Sequence, residues 1–289
     1  MSEIAAANKR APLFLTQPAT LLFLGLLVVP LALTFVLSFN VFEGMSGIQP
    51  DYTVANYAGI VTDPYFHDLF LRTGAMALGV TAICIVLGVP ETLILSRMRP
   101  VWQGPFFVVI LGPLLISVVV RTLGWQVLLG RQGPVNLFLT SLGLVNGPVQ
   151  FLYSMTGIVI VLTHVMLPFM IIAVWSTLQK LDAQVVHAAR SLGASRFTAF
   201  RRIVLPQLLP GILSGSIIVF TLSASAFATP SIIGGRRVKV VTTAIYDEFL
   251  GSLNWPLGAA IAVLLLLGIV AVILGSNRFI ERRYKQVFA

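Results

Sequence analysis

The stretch LDAQVVHAARSLGASRFTAFRRIVLP, residues 181–206, is a charged island between two long uncharged runs, and the chain is read outward from it. Asp182 has the side chain of a good N-cap, and Ala183–Leu192 favours helix. Gly193 is free to take the left-handed conformation that ends such a helix. Ser195 is placed to cap a second helix whose Phe197, Phe200 and Ile203 or Val204 would share one face. Pro206 and Pro210 then bracket the start of the next apolar segment. From the residues alone this suits an interfacial hairpin whose Arg196, Arg201 and Arg202 meet lipid head groups. It suits equally a structured loop that meets another protein.

On either side lie Gln132–Gln179 and Ile203–Gly235, without a single charge. Further uncharged runs are Ala11–Phe42, Thr73–Pro90, Pro100–Val120 and Phe249–Asn277. Each reaches the roughly 18 to 20 residues that a helix needs to cross about 30 Å of hydrocarbon. Gln132–Gln179 is too long for one span, and its Asn146-Gly147-Pro148 reads as a loop. Six spans follow, near Leu13–Phe39, Leu69–Ser96, Phe106–Leu129, Ser154–Leu178, Leu208–Ile233 and Pro256–Phe279. The alternating segments of about ten residues that a transmembrane barrel needs are absent. The fold class is all-α and polytopic: one membrane domain over residues 1–289, with tails at 1–12 and 280–289 and a loop at 179–207. Of the 289 residues, 57% are apolar and only 10% charged, against about 25% in soluble domains.

A net charge of +9 invites a nucleic-acid reading, but the placement of the cations opposes it. Lys9, Arg10, Arg97, Arg99, Lys180, Arg190, Arg196, Arg201, Arg202, Arg278, Arg282, Arg283 and Lys285 all fall on one side of the six-span topology. By the positive-inside rule that side is the cytoplasm, and both termini lie there. Glu43, Asp51, Asp63 and Asp68 fill the first outer loop without a Lys or Arg. The apolar run from Ala11 is longer than the roughly 7 to 15 residues of a signal core and reads as a retained first helix. The single cysteine, Cys84, sits inside an apolar helix as a packing residue.

The order of residues in the island resembles the EAA loop of ABC importer permeases, whose pattern is Glu-Ala-Ala, then Gly, then Ile-x-Leu-Pro. Ala188, Ala189, Gly193, Ile203, Leu205 and Pro206 match, with three residues from Ala189 to Gly193 and nine from Gly193 to Ile203. The family's Glu is His187 here, at the position that contacts the ATPase. That His alters the partner contact or serves as a polar helix-surface residue. The resemblance implies a type I ABC importer permease fold and a coupling loop in which Asp182, His187, Ala188, Ala189, Arg190, Gly193, Leu205 and Pro206 are the residues of interest. The short helix around Ala188–Arg190 would seat in a cytoplasmic ATP-binding subunit.

Three further stretches look like the spermidine/putrescine branch of that family. They are Val120-Arg121-Thr122-Leu123-Gly124-Trp125 with Leu128, Leu129, Gly130, Gly133 and Asn136; Phe227–Gly235; and Asn254–Ala260. The resemblance implies four kinds of partner: a second homologous permease, two ATP-binding subunits, an extracytoplasmic solute-binding protein and membrane lipid. It implies a bacterial inner-membrane location and no nucleic acid, with ATP and magnesium held on the partner subunits. Arg121, Trp125, Ser223, Ser225 and Thr229 are the candidate translocation path; packing is the alternative for each. Arg121 either serves the pathway or anchors helix three, and Glu91 is a charge inside helix two. A polycation favours carboxylates and aromatic faces, and helices three to five carry almost no acids, so selectivity would rest with the binding protein. Asp63, Tyr65 and Asp68 are candidates for docking it, within a stretch that also reads as an ordinary solvated loop.

An enzyme is disfavoured. His67, His164 and His187 are dispersed, and no His-Glu-x-x-His, Gly-x-Ser-x-Gly or phosphate-loop motif is present. No catalytic residue and no metal site is expected. A secondary transporter or uncoupled channel is the alternative, though the internal repeats or buried coupling charges typical of such proteins are not evident.

Overall fold

The computed structural model describes the backbone of residues 2–44, 46–181 and 183–288, and the side chains of residues 16–44, 46–181, 184–185 and 188–278. The chain divides into two compact units: residues 1–64 with 245–266, and residues 65–244 with 267–289.

In the first unit, α1 (Ser2–Leu37) is helical from residue 2, and none of its apolar stretch Thr16–Leu37 is buried. It leads into an antiparallel hairpin, β1 (Asn40–Glu43) and β2 (Gly47–Tyr52), then α2 (Ala55–Thr62). Asn56 ties these together, its amide donating to the carbonyls of Ser38 and Asn40 at 3.0 Å each, while Ser38 Oγ meets Tyr57 Oη at 2.6 Å. The hairpin is an addition to the all-α reading. An acidic stretch with Gly44 and Gly47 reads as a loop because it is too short and polar to show strand alternation.

The second unit contains α3 (Pro64–Arg97), α4 (Pro100–Leu115), α5 (Val118–Leu128), α6 (Pro134–Ser141), α7 (Met155–Leu178), α8 (Ala183–Ser191), α9 (Arg196–Ala199) and α10 (Leu205–Ala224). The short α11 (Val241–Tyr246) and the long α12 (Trp255–Phe288) follow, with residues 245–266 belonging to the first unit. Among the described residues, five helices are long and apolar enough to cross a membrane, and six if the bent pair α4–α5 counts as one span.

The core forms where α7 meets α3 and α10. Ser154 caps α7 by accepting from the Gly157 amide at 3.1 Å, and the helix then runs for 24 residues, about 36 Å. Val161, Met170 and Val174 on it are fully buried, as are Val80 and Cys84 of α3 and Leu208 and Val219 of α10. Close approach is set by glycines. A Cβ on Gly211 would stand 2.8 Å from the Ala173 carbonyl, and one on Gly215 would stand 2.8 Å from Met170 Sδ. These two glycines form a G-x-x-x-G face, the pattern that lets membrane helices pack backbone to backbone. Cys84 is buried with its thiol 3.7 Å from the Thr163 carbonyl.

Two spans depart from the sequence reading. The expected helix Phe106–Leu129 is broken: α4 and α5 meet at 99°, with Ile116 and Ser117 extended between them. Pro113 lies inside α4 within a turn of the break and weakens the helix there by removing the bond back to residue 109, although Pro168 sits inside the unbroken α7. The expected helix Leu208–Ile233 starts earlier and stops sooner. A π-helical turn at Phe200–Val204 joins α9 to α10, so that a helical stretch runs from Arg196 to Ala224. The wider turn accommodates Pro206, whose ring would collide with the preceding turn in a regular α-helix. It also breaks the expected shared face: Phe197 is 70% exposed, while Phe200, Ile203 and Val204 are half-buried. A second π-helical turn, Pro230–Gly234, lies beyond the end of α10.

Candidate functional site

Two regions of the second unit hold the residues of interest. The first is the charged island. Asp182 lies outside the described residues, and so does the side chain of His187. Ala188 and Arg190 of α8 are exposed, and Ala189 is half-buried. Gly193 takes φ +87°, and its amide donates to the Arg190 carbonyl while the Ala194 amide donates to Ala189, both at 3.0 Å. That pair of bonds is the Schellman arrangement, which needs a left-handed residue at this point. Ser195 Oγ then accepts from the Thr198 amide at 3.1 Å and opens α9. Leu205 and Pro206 are half-buried at the start of α10. The bend is therefore built from a helix stop and a helix start three residues apart in number, 192 to 195. Because α9 runs on through the π-helical turn into α10, a push on α9 is delivered to a membrane-length helix without an intervening hinge.

The second region surrounds the break in the α4–α5 span. Arg121, in the first turn of α5, is buried and donates through Nη1 to the carbonyl of Pro113 in α4. The Ile116 amide reaches the same carbonyl at 3.3 Å. Carbonyls at a helix C-terminus lack intrahelical partners and carry the negative end of the dipole, so a guanidinium there offsets both. Its Nε finds no partner among the described residues. One turn on, Trp125 Nε1 donates to His164 Nδ1 of α7 at 3.2 Å, the rings lying 5.3 Å apart and 63° inclined. Thr122 gives its hydroxyl hydrogen to the Val118 carbonyl at 2.7 Å, so in its 3.3 Å contact with Thr229 it is Thr229 that donates. The structure thus joins Arg121, Trp125 and Thr229 to one broken span.

The remaining path candidates fall elsewhere. Ser223 is fully buried, with Oγ unpartnered among the described residues, and Ser225 is exposed and bonds the Thr221 carbonyl of its own helix at 2.9 Å. Glu91 is half-buried on α3. His164, Thr122 and Pro113 were missed as members of the site. Pro113 after Gly112 was the available signal for the break, whereas the His164 contact joins residues 39 apart and has no sequence signature. Of the docking candidates, Asp63 closes α2 and is exposed, Tyr65 is exposed, and Asp68 pairs with Arg72 at 2.5 Å one turn along α3. That pairing removes part of the acidic character read from the loop.

At the end of this unit away from the island, Tyr153 adopts φ +60° and rests on Gly235, itself at φ +54°. The Tyr153 amide donates to the Ile233 carbonyl at 2.7 Å, and Arg237 lies 5.9 Å over the Tyr153 ring. Among the described residues no group of three or more His, Cys, Asp or Glu side chains could hold a metal.

Against known proteins, residues 4–286 match the family described as the binding-protein-dependent transport system inner membrane component. The spermidine/putrescine transport system permease protein PotB of Haemophilus influenzae is 29% identical over 259 residues, 89% of this chain and 90% of that one. The protein of the same name from Escherichia coli K12 is 30% identical over 228 residues, 79% of this chain and 82% of that one. Among solved structures, a chain of a bacterial ABC transporter that imports the acidic polysaccharide alginate superposes with a TM-score of 0.73 at 14% identity, covering 98% of this chain and 100% of that one. At that identity the likeness speaks for the fold alone.

Proposed function

We propose a polyamine-importing role for this chain, which belongs to the family of binding-protein-dependent transport system inner membrane components. It is a permease subunit of an ATP-binding-cassette importer, a transport subunit and a multi-pass membrane protein. The observation that carries the substrate reading is its likeness, over 89% of its length, to a permease named for spermidine and putrescine. In this reading both termini and the loop 179–207 face the cytoplasm, the side on which the positive-inside rule puts the thirteen cations. A second homologous permease completes the pore, and two ATP-binding subunits, which themselves hold ATP and magnesium, offer the cleft in which α8 seats. An extracytoplasmic binding protein delivers the solute.

The chain's own residues then act as a lever and a path. Closure of the ATPase pair moves α8 as a body, and the Schellman bend transmits that movement to α9. The unbroken run from Arg196 to Ala224 carries it into the membrane. Only a difference in the affinity of ATP and of loaded binding protein for the outward and inward states can drive the cycle. Along the path, Arg121 is bound to the Pro113 carbonyl of its own broken span, and the other candidates, Trp125, Ser223, Ser225 and Thr229, are uncharged. A polycation therefore passes aromatic and hydroxyl groups rather than acids, which suits weak binding and easy release.

Reconstitution of the complete importer in lipid, with its ATPase rate followed as solutes and binding protein are added, tests this. Stimulation by spermidine or putrescine is the expected result. Stimulation by some other solute, with silence to both polyamines, overturns the substrate and leaves the importer subunit standing.

A further inference from the structure

The inner end of the second unit contains a cleft of about 580 Å³ between the last turns of α3 and α7 and the first turns of the α9–α10 rod. Its lining includes the apolar Leu178, Phe200 and Val204, with the exposed residues Arg97, Arg190 and Arg196 forming its rim. Those three cations come from three different elements: the last turn of α3, the last turn of α8 and the first residue of α9. Among the described residues none of the three forms an ion pair. Ser96, also on the wall, gives its hydroxyl hydrogen to the Leu93 carbonyl at 2.8 Å and so adds no donor to the cleft.

Three like charges around one cleft repel unless an anion is shared between them, and guanidinium forks match phosphate oxygens in geometry. A free phosphate would satisfy the rim but leave the leucine, phenylalanine and valine wall uncovered. An occupant with a phosphate head and an apolar stem satisfies both at once. The cleft lies where membrane-length helices end, the depth at which head groups sit, and the cytoplasmic leaflet is the anionic one.

We propose that this cleft binds the head group of an anionic phospholipid of the cytoplasmic leaflet, the phosphate held by Arg97, Arg190 and Arg196 and the acyl stem lying on Leu178, Phe200 and Val204. The lipid bridges the end of α3 to both halves of the coupling bend, so the mobility of the bend depends on membrane composition. The inference rests on the cytoplasmic orientation of the loop 179–207 given above.

The test uses the complete importer and, in parallel, the purified chain alone, each placed in nanodiscs of phosphatidylcholine with or without phosphatidylglycerol. Native mass spectrometry counts retained phosphatidylglycerol, and ATPase rate is measured on the complex. The unaltered protein is expected to retain phosphatidylglycerol and to hydrolyse ATP faster in its presence. R97Q and R196Q should each lower retention about fivefold, as expected for one surface cation near anionic lipid. The double variant should lose the rate difference, and R97K/R196K, which keeps the charges but not the forks, should recover only part of the retention. Retention in R97Q/R196Q equal to that of the unaltered chain overturns the proposal. So does recovery of the rate in pure phosphatidylcholine on adding inorganic phosphate, which would make the ligand a free anion. Loss of the ATPase subunits with unchanged lipid retention also overturns it, since the arginines would then hold a protein partner. Retention on the isolated chain is read whether or not an ATPase joins, so failure of the importer reading and failure of the lipid site are separable.

Discussion

Two spans of the same unit behave in opposite ways. Helix α7 is a continuous rod with 61% of its apolar window buried, whereas α4, in the broken span α4–α5, has no buried residue and ends in a 99° bend. Both contain an internal proline, Pro168 in α7 and Pro113 in α4. Proline therefore does not decide the outcome. In α7 the packed faces of α3 and α10 hold the rod straight across the weak point. In α4 the weak point is not buried under neighbouring helices, and a single arginine occupies the carbonyl there instead. Tertiary burial stabilises a local defect in one case, and a charge-assisted hydrogen bond fixes it open in the other.

The contrast can be broken most strongly at the rod. Gly211→Val places side-chain atoms against the Ala173 carbonyl and Thr177 Cβ, neither of which can retreat without moving α7. A loss of about 3 kcal/mol is expected from overpacking at a backbone contact, read as a lower thermal midpoint in detergent and aggregation on size exclusion. Next is the open span. Arg121→Leu leaves the end of α4 without its cation, at a cost of about 1.5 to 3 kcal/mol for a hydrogen bond to a charged group. Transport should fall while the rod stays intact, so hydrogen exchange should rise in residues 113–122 and stay unchanged in 161–174; equal exchange in both would refute the role given to Arg121. A smaller effect is expected at the lever. Gly193→Ala imposes a left-handed conformation on an L-residue, worth about 1 to 2 kcal/mol, and should slow coupled transport while leaving membrane insertion unchanged. Gly193→Asp, which also adds a carboxylate at the turn, should break assembly with the ATPase or uncouple ATP hydrolysis from transport, again with insertion intact. The mildest change is Thr122→Val, which deprives Thr229 of an acceptor at about 0.5 to 1.5 kcal/mol. It should shift solute dependence of the ATPase slightly with no loss of expression.

The positions of the spans are legible in the sequence, the contrast between rod and break is not, and the difference has a physical cause. Uncharged runs and the placement of cations located all the spans, because a bilayer penalises charge in a way that leaves a linear trace in the sequence. The bend at Gly193 and the cap at Ser195 were readable because their partners lie within a few residues. The break at Ile116–Ser117 was not read, although Gly112-Pro113 advertised it, because an unbroken apolar pattern outweighs one proline. The Trp125–His164 and Thr122–Thr229 contacts join residues 39 and 107 apart and depend on packing that no local pattern encodes. The close approach at Gly211 and Gly215 was not read, because a pair of glycines does not name the helix it admits.

Cys84 has a practical consequence. As the chain's single cysteine it is fully buried, with its sulfur against the Thr163 carbonyl, so maleimide reagents should leave the folded protein unlabelled. The native sequence is then already a silent background for spectroscopy. A cysteine introduced at Leu192, 89% exposed at the tip of the bend, would carry the one fluorophore or spin label in the subunit. A second at Gln150, exposed on the opposite end of the same unit, would complete a ruler along it. Movement of the lever during turnover could be timed directly, with no need to strip and rebuild the core around a mutated thiol.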